Sequence, residues 1–86
     1  MFNIVQNEFN EGFQMTFSNK MTVSVQCGRM SHSGHGSAEV AIWDNEDTWF
    51  ILDKDDNLTP VEDGTEVMGW VPVDQVADII SKVANF

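Results

Sequence analysis

Phe13-Gln14-Met15-Thr16-Phe17-Ser18-Asn19-Lys20-Met21-Thr22-Val23-Ser24-Val25-Gln26-Cys27 is the stretch whose reading decides the fold. Phe13, Met15 and Phe17 alternate with Gln14, Thr16 and Ser18, and Met21, Val23, Val25 and Cys27 alternate with Thr22, Ser24 and Gln26. A period of two with one apolar face predicts two half-buried strands. Residues directly opposed in an antiparallel pair share a face, so a two-residue loop at Asn19 and Lys20 would set Phe17 against Thr22 and mix the faces. A three-residue loop, Ser18 to Lys20, sets Phe17 against Met21 and Met15 against Val23, and keeps the apolar side chains together. The odd-numbered loop is the expected one.

Upstream, Phe2 to Phe9 is consistent with a short N-terminal edge strand, and Gly12 is expected to mark the turn out of it. Downstream, residues 28 to 37 hold three glycines and three serines with no apolar period, the composition of a mobile surface loop. Glu39 to Trp43 and Thr48 to Leu52 are apolar on both faces, as central strands are, and Asp44-Asn45-Glu46-Asp47 between them suits a hairpin turn. If one face of these strands rests on a helix, the other offers some of Ala41, Trp43, Trp49 and Ile51 to a second copy of the chain or to the N-terminal segment folding over it. Residues 53 to 66 read as one long connection punctuated by Pro60 and Gly64, and Val67 to Val71 as a short strand.

The C-terminal segment has Val73, Val76, Ala77, Ile80, Val83 and Ala84 at helical spacing, with Asp74, Asp78 and Lys82 opposite. Pro72 suits the first helical turn, Asp74 places negative charge at the positive end of the helix dipole, and Lys82 complements the last turn. No internal repeat or low-complexity tract is evident. Residues 1–86 therefore read as a single small α+β domain, an antiparallel meander of four to five strands with one C-terminal helix packed on a face.

Charge is concentrated. Ten of the 14 acidic residues lie between Glu39 and Glu66 against Lys54 alone, so that stretch carries −9 of the net −10. Such a field repels nucleic-acid phosphate and anionic lipid and favours cations or a basic protein partner, so no direct binding to nucleic acid or membrane is expected. Asp44, Glu46, Asp47, Asp53, Asp55, Asp56, Glu62 and Asp63 are the candidate partner-binding acids, with Trp43 and Trp49 as candidate aromatic anchors. Surface acidity also aids solubility without any partner. Of the three tryptophans, the third being Trp70, at least one is expected to be partly exposed.

Two metal readings arise. Cys27, His32 and His35 lie within nine residues and could offer a thiolate and two imidazoles to zinc, but a structural zinc site wants four ligands, and a buried free thiol beside a flexible loop is the competing expectation. Asp53, Asp55 and Asn57 imitate the first ligands of a calcium loop, but the sixth position is Leu58 instead of glycine and the twelfth is Gly64 instead of glutamate. No nucleophile motif, phosphate-cradling loop or dinucleotide fingerprint occurs, so a non-catalytic protein without a cofactor is expected. The lone cysteine permits no intrachain disulfide, no apolar run approaches the roughly 20 residues of a membrane span, and the N-terminus lacks the features of a secretion signal. A cytoplasmic setting follows.

A resemblance that would extend over most of the chain is carried by Gly12-Phe13-Gln14-Met15-Thr16-Phe17, by Thr22-Val23-Ser24-Val25-Gln26, by Ala38-Glu39-Val40-Ala41 with Trp43-Asp44, and by Pro72-Val73-Asp74-Gln75-Val76-Ala77-Asp78. In these segments the chain resembles a group of small uncharacterised proteins of marine phages and environmental sequence collections. The resemblance implies an accessory protein made in the cytoplasm of an infected bacterium, and brings no activity, cofactor or site residue with it.

Overall fold

In a computed structural model, which describes residues 1–6, 10–28 and 36–86, the chain forms β1 (Phe2–Gln6), β2 (Asn10–Thr16), β3 (Thr22–Gly28), β4 (Ser37–Trp43), β5 (Trp49–Leu52), β6 (Leu58–Pro60), β7 (Met68–Pro72) and α1 (Val73–Ala84). The class is α+β, and the antiparallel sheet has seven strands where four to five were expected. The order β1-β2-β3-β4-β5-β6 is a meander, but β7 leaves that path and pairs with β4. The far edge of β4 is thus shared: Ile42 and Trp43 pair with β5, while Ser37, Ala38 and Val40 pair with β7. Between Ala38 and Val40 the β4–β7 register shifts, and Trp70 takes a left-handed φ of 56° in β7. A bulge re-aims side chains, and Trp70 is 63% exposed.

The β2–β3 hairpin has the three-residue loop. Met15 pairs with Val23, the Phe17 N–H donates to the Met21 carbonyl at 2.9 Å, and the Lys20 N–H donates to the Phe17 carbonyl at 3.0 Å. Faces therefore segregate. Met21, Val23, Val25, Ala38, Val40, Ile42, Phe50 and Val71 turn to the helix and form the core with Val76, Ile79 and Val83. Thr16 and Thr22, on the opposite face, join through their hydroxyls at 2.9 Å.

Several expectations need correction. Gly12 is not a turn residue: it lies inside β2, opposite Val5 and Gln26. A β-carbon there would land on the Val25 carbonyl oxygen, so the close approach of β3 demands glycine. The long connection from residue 53 is interrupted by β6, a three-residue edge strand ending at Pro60, where a missing N–H costs little. Pro72 is the extended N-cap of α1 and the last residue of β7, one position before the first turn. Asp74 and Lys82 do occupy the first and last turns. The buried stripe of α1 is Val76, Ile79 and Val83, with Ile80 partly buried; Val73, Ala77 and Ala84 are exposed, because the helix meets β3, β4 and β7 one residue further round than the apolar count suggested. Of the N-terminal segment, the described residues Phe2–Gln6 extend the sheet beside β2 as β1 instead of covering the face opposite the helix.

The helix C-terminus is held by a turn far away in sequence. Asn19 Nδ2 donates to the Val83 carbonyl at 2.8 Å, while Asn19 Oδ1 accepts from the Met21 N–H at 3.0 Å. One side chain thus shapes the β2–β3 turn and satisfies a carbonyl in the last turn of α1, where intrahelical donors run out. Phe86 closes the end, its ring 5.4 Å from that of Phe50.

Candidate functional site: two acidic turns and a tryptophan pair

The acidic candidates sit on turns of one geometry. In the β4–β5 turn the Asp44 N–H donates to the Thr48 carbonyl at 3.0 Å, and the Asp47 N–H donates to the Asp44 carbonyl at 3.4 Å. In the β5–β6 turn the Asp53 N–H donates to the Asn57 carbonyl at 2.9 Å, and the Asp56 N–H to the Asp53 carbonyl at 3.0 Å. Both repeat the pattern at Phe17 to Met21, and the fourth residue is left-handed each time: Lys20 at 72°, Asp47 at 61° and Asp56 at 61°. Aspartate tolerates that region better than most residues.

The opening aspartates complete the two acidic turns. Asp44 Oδ1 accepts from the N–H groups of Glu46 and Thr48, each at 2.9 Å, and Asp53 Oδ1 accepts from those of Asp55 at 2.8 Å and Asn57 at 3.0 Å. This is a short repeat the sequence reading missed: Asp44-Asn45-Glu46-Asp47-Thr48 and Asp53-Lys54-Asp55-Asp56-Asn57 share aspartate at the first and fourth positions and an acid at the third. That spacing was the available signal.

Asp53 also reaches beyond its own turn. Its second oxygen accepts from the Thr59 hydroxyl of β6 at 3.0 Å, so one oxygen is engaged by the turn and the other by the strand that follows it. The N–H groups of Asn57 and Asp55 hold its carboxyl below the usual carboxylate range, against the opposing effect of desolvation; the Thr59 hydroxyl and the charge of Lys82 add to the lowering. A folded-state value below the unfolded one contributes stability that is present above the ordinary aspartate range and is lost as pH falls through the folded value. Asp53→Asn is thus expected to be less stable than the parent at neutral pH, with the gap in melting temperature closing as pH falls through and below the ordinary aspartate range. Taking the difference between the two proteins cancels the general relief of repulsion as the other carboxylates protonate. A gap that stays constant with pH would show that the turn does not depend on the charge.

The acids do not form one continuous row. The two turns lie at opposite ends of β5, a four-residue strand spanning roughly 13 Å. The Val61 N–H donates to the Trp49 carbonyl at 2.8 Å, which returns the chain to the start of β5 and brings Glu62 and Asp63 to the end that carries Asp44, Glu46 and Asp47. At the other end, Asp53, Asp55 and Asp56 share their turn with Lys54. There Lys82 Nζ donates to the Asp56 carbonyl at 2.8 Å and pairs with Asp78 at 3.0 Å. The first group is the less neutralised of the two.

Trp43 and Trp49 are a directly opposed cross-strand pair on the face away from the helix, ring centroids 5.0 Å apart at 31°, and both are half-buried. A depression of about 400 Å³ runs beside Trp43, bordered by Thr16, Thr22, Lys20, Asp44 and Asp47. Gln14, Ser24, Gln26 and Glu39 border a smaller one between the two rings and Val67.

Of the other metal set, Cys27 is exposed, a correction to the expected buried thiol. It stands near the far end of β3 with its Sγ 3.7 Å from the Ser37 carbonyl. His32 and His35, and most of the predicted loop 28–37, lie outside the described residues. Among the described residues no three His, Cys, Asp or Glu side chains gather as a metal-binding group, and no helix is long and apolar enough to cross a membrane. A scan against protein-family models, a search of curated proteins and a search of solved structures each return no match to this chain.

Proposed function

We propose that the protein is a non-catalytic binding protein that docks a basic segment of a protein partner on the end of the sheet formed by Asp44, Glu46, Asp47, Glu62 and Asp63 beside Trp43 and Trp49. The observation that carries this reading is the juxtaposition of exposed carboxylates with an aromatic pair, at the end of β5 where Lys20 is the basic side chain bordering the depression. Lysine and arginine side chains are attracted by both features: carboxylates supply charge-assisted hydrogen bonds, and an indole face attracts a cation within about 6 Å of the ring centroid. The phage-like resemblance fits an accessory role of this kind in a bacterial cytoplasm, and mimicry of nucleic acid by carboxylates is its sharper form.

The test is capture from bacterial lysate by the purified protein, compared with a variant carrying Glu46→Gln, Asp47→Asn, Glu62→Gln and Asp63→Asn. These positions are exposed, and asparagine suits the left-handed residue 47, so the fold should be kept. The expected result is a basic protein held at low salt, released at high salt, and not held by the variant. Equal retention by parent and variant would leave the acids a solubility role only.

A further inference from the structure

We infer that two copies of this chain associate through the outer edge of β1, which pairs antiparallel with β1 of the second copy about a two-fold axis at Ile4. The direction of the free backbone groups follows from two hydrogen bonds. The Met1 amine donates to the Thr16 carbonyl at 2.6 Å and the Thr16 N–H donates to the Met1 carbonyl at 2.8 Å, so Met1 and Thr16 are a hydrogen-bonded pair. Such pairs recur at every second residue, so the backbone groups of Asn3 and Val5 point at β2 and those of Phe2, Ile4 and Gln6 point away from it. Among the described residues β1 pairs with β2 alone.

Three features select a second copy as the occupant. First, the other open strands are blunted as edges usually are: β6 has three residues and ends in Pro60, and β7 carries a bulge and ends in Pro72. By contrast β1, Phe2-Asn3-Ile4-Val5-Gln6, has five residues with no charged side chain and no proline, and Phe2 and Ile4 are 59% and 75% exposed. Second, the chain has a net charge of −10, so two copies repel wherever their acidic parts meet; the sheet order puts β1 at the opposite edge from β5 and β6, beside which most of that charge lies.

Third, the edge is self-complementary. Pairing Ile4 with its symmetry mate and Phe2 with Gln6 of the second copy uses all the outward groups, in about six hydrogen bonds. Opposed residues share a face, so the axis stands perpendicular to the sheet and both helices lie on one side of it. Phe2 stacks on Phe13 with centroids 5.6 Å apart, and Phe13 borders an apolar groove of about 610 Å³ with Val25, Val73, Ala77 and Ile80. The two-fold brings these apolar strips together, from Phe2 and Ile4 to the exposed Val73.

Sedimentation equilibrium from micromolar to millimolar protein, with amide exchange followed by NMR over the same range, tests this. The expected result is a dimer in which the Ile4 and Gln6 amides gain protection as concentration rises, while those of Asn3 and Val5 are protected throughout. Ile4→Lys, at an exposed position, should keep the monomer's circular dichroism and raise the dimer dissociation constant by roughly thirtyfold or more. A wild-type protein that stays monomeric to millimolar concentration overturns the inference. So does a dimer that survives Ile4→Lys with freely exchanging Ile4 and Gln6 amides, which would place the contact on another surface such as the tryptophan face.

Discussion

Replacing Ile79 by alanine is expected to lower stability by about 3 kcal/mol, a fall of roughly 15 °C in melting temperature for a domain of this size. Ile79 is fully buried, and with Ile42, Val23, Val40 and Val83 it is one of the largest side chains enclosed completely. Removing three of its heavy atoms loses their transfer free energy and leaves a space that a helix anchored at both ends can close only in part. The anchors are the β7–α1 junction at Pro72 and the Asn19 bond to the Val83 carbonyl. Val73→Ala is the informative comparison, because both residues are apolar and both are in α1, yet Val73 is 69% exposed. It should change stability by less than about 0.5 kcal/mol. Thermal melts of the two variants separate the buried stripe seen in the fold from the one that apolar counting selects; equal losses would mean that the helix is rotated relative to the sheet.

Gly12→Ala is expected to cost about 3 kcal/mol for a different reason. At Gly36 and Gly64, both at φ 78°, an added methyl meets open space and the penalty is one of backbone conformation. At Gly12 no left-handed φ is involved; the obstacle is the Val25 carbonyl oxygen and the Gln26 backbone. Backbone atoms cannot rotate away as a side chain can, so β2 must separate from β3 or shift along it. Those two strands carry Phe13, Met15, Val23 and Val25 into the core, so the loss should spread beyond the site. The check is a denaturant melt together with amide exchange at Glu11, Phe13 and Val25. Gly36→Asn, which tolerates the left-handed region, should be much milder. A Gly12→Ala protein within about 0.5 kcal/mol of the parent would rule out the close approach of the two strands.

What could be read from residues alone was whatever depends on neighbours along the chain. Phe13 to Cys27 specified two strands, their register and the loop length between them, because a one-residue slip would turn every apolar side chain to solvent. The α+β class, the hairpin at Asp44 to Asp47, and the C-terminal helix followed from equally local periodicities and turn chemistry. The candidate site was legible in part: Trp43, Trp49 and the acids could be singled out by type. The roles of Asp44 and Asp53 as turn caps needed the hydrogen bonds to the residues two and four further on.

Only the tertiary structure decided the rest. β6 lacks a regular apolar alternation, since an edge strand is held by one neighbour's backbone and needs no buried face. β7 joins β4 because β5 pairs only with Ile42 and Trp43 and leaves the remaining edge of β4 open. Ile79 replaces Val73 in the core because the line of contact between α1 and the sheet is set by strands far away in sequence. The acids from Asp44 to Asp63 become two separate groups because β5 lies between their turns, and residues adjacent in a sequence can stand at opposite ends of a strand. Pattern reports what each segment prefers, whereas the partner of each segment is chosen by long-range pairing, which no local count contains.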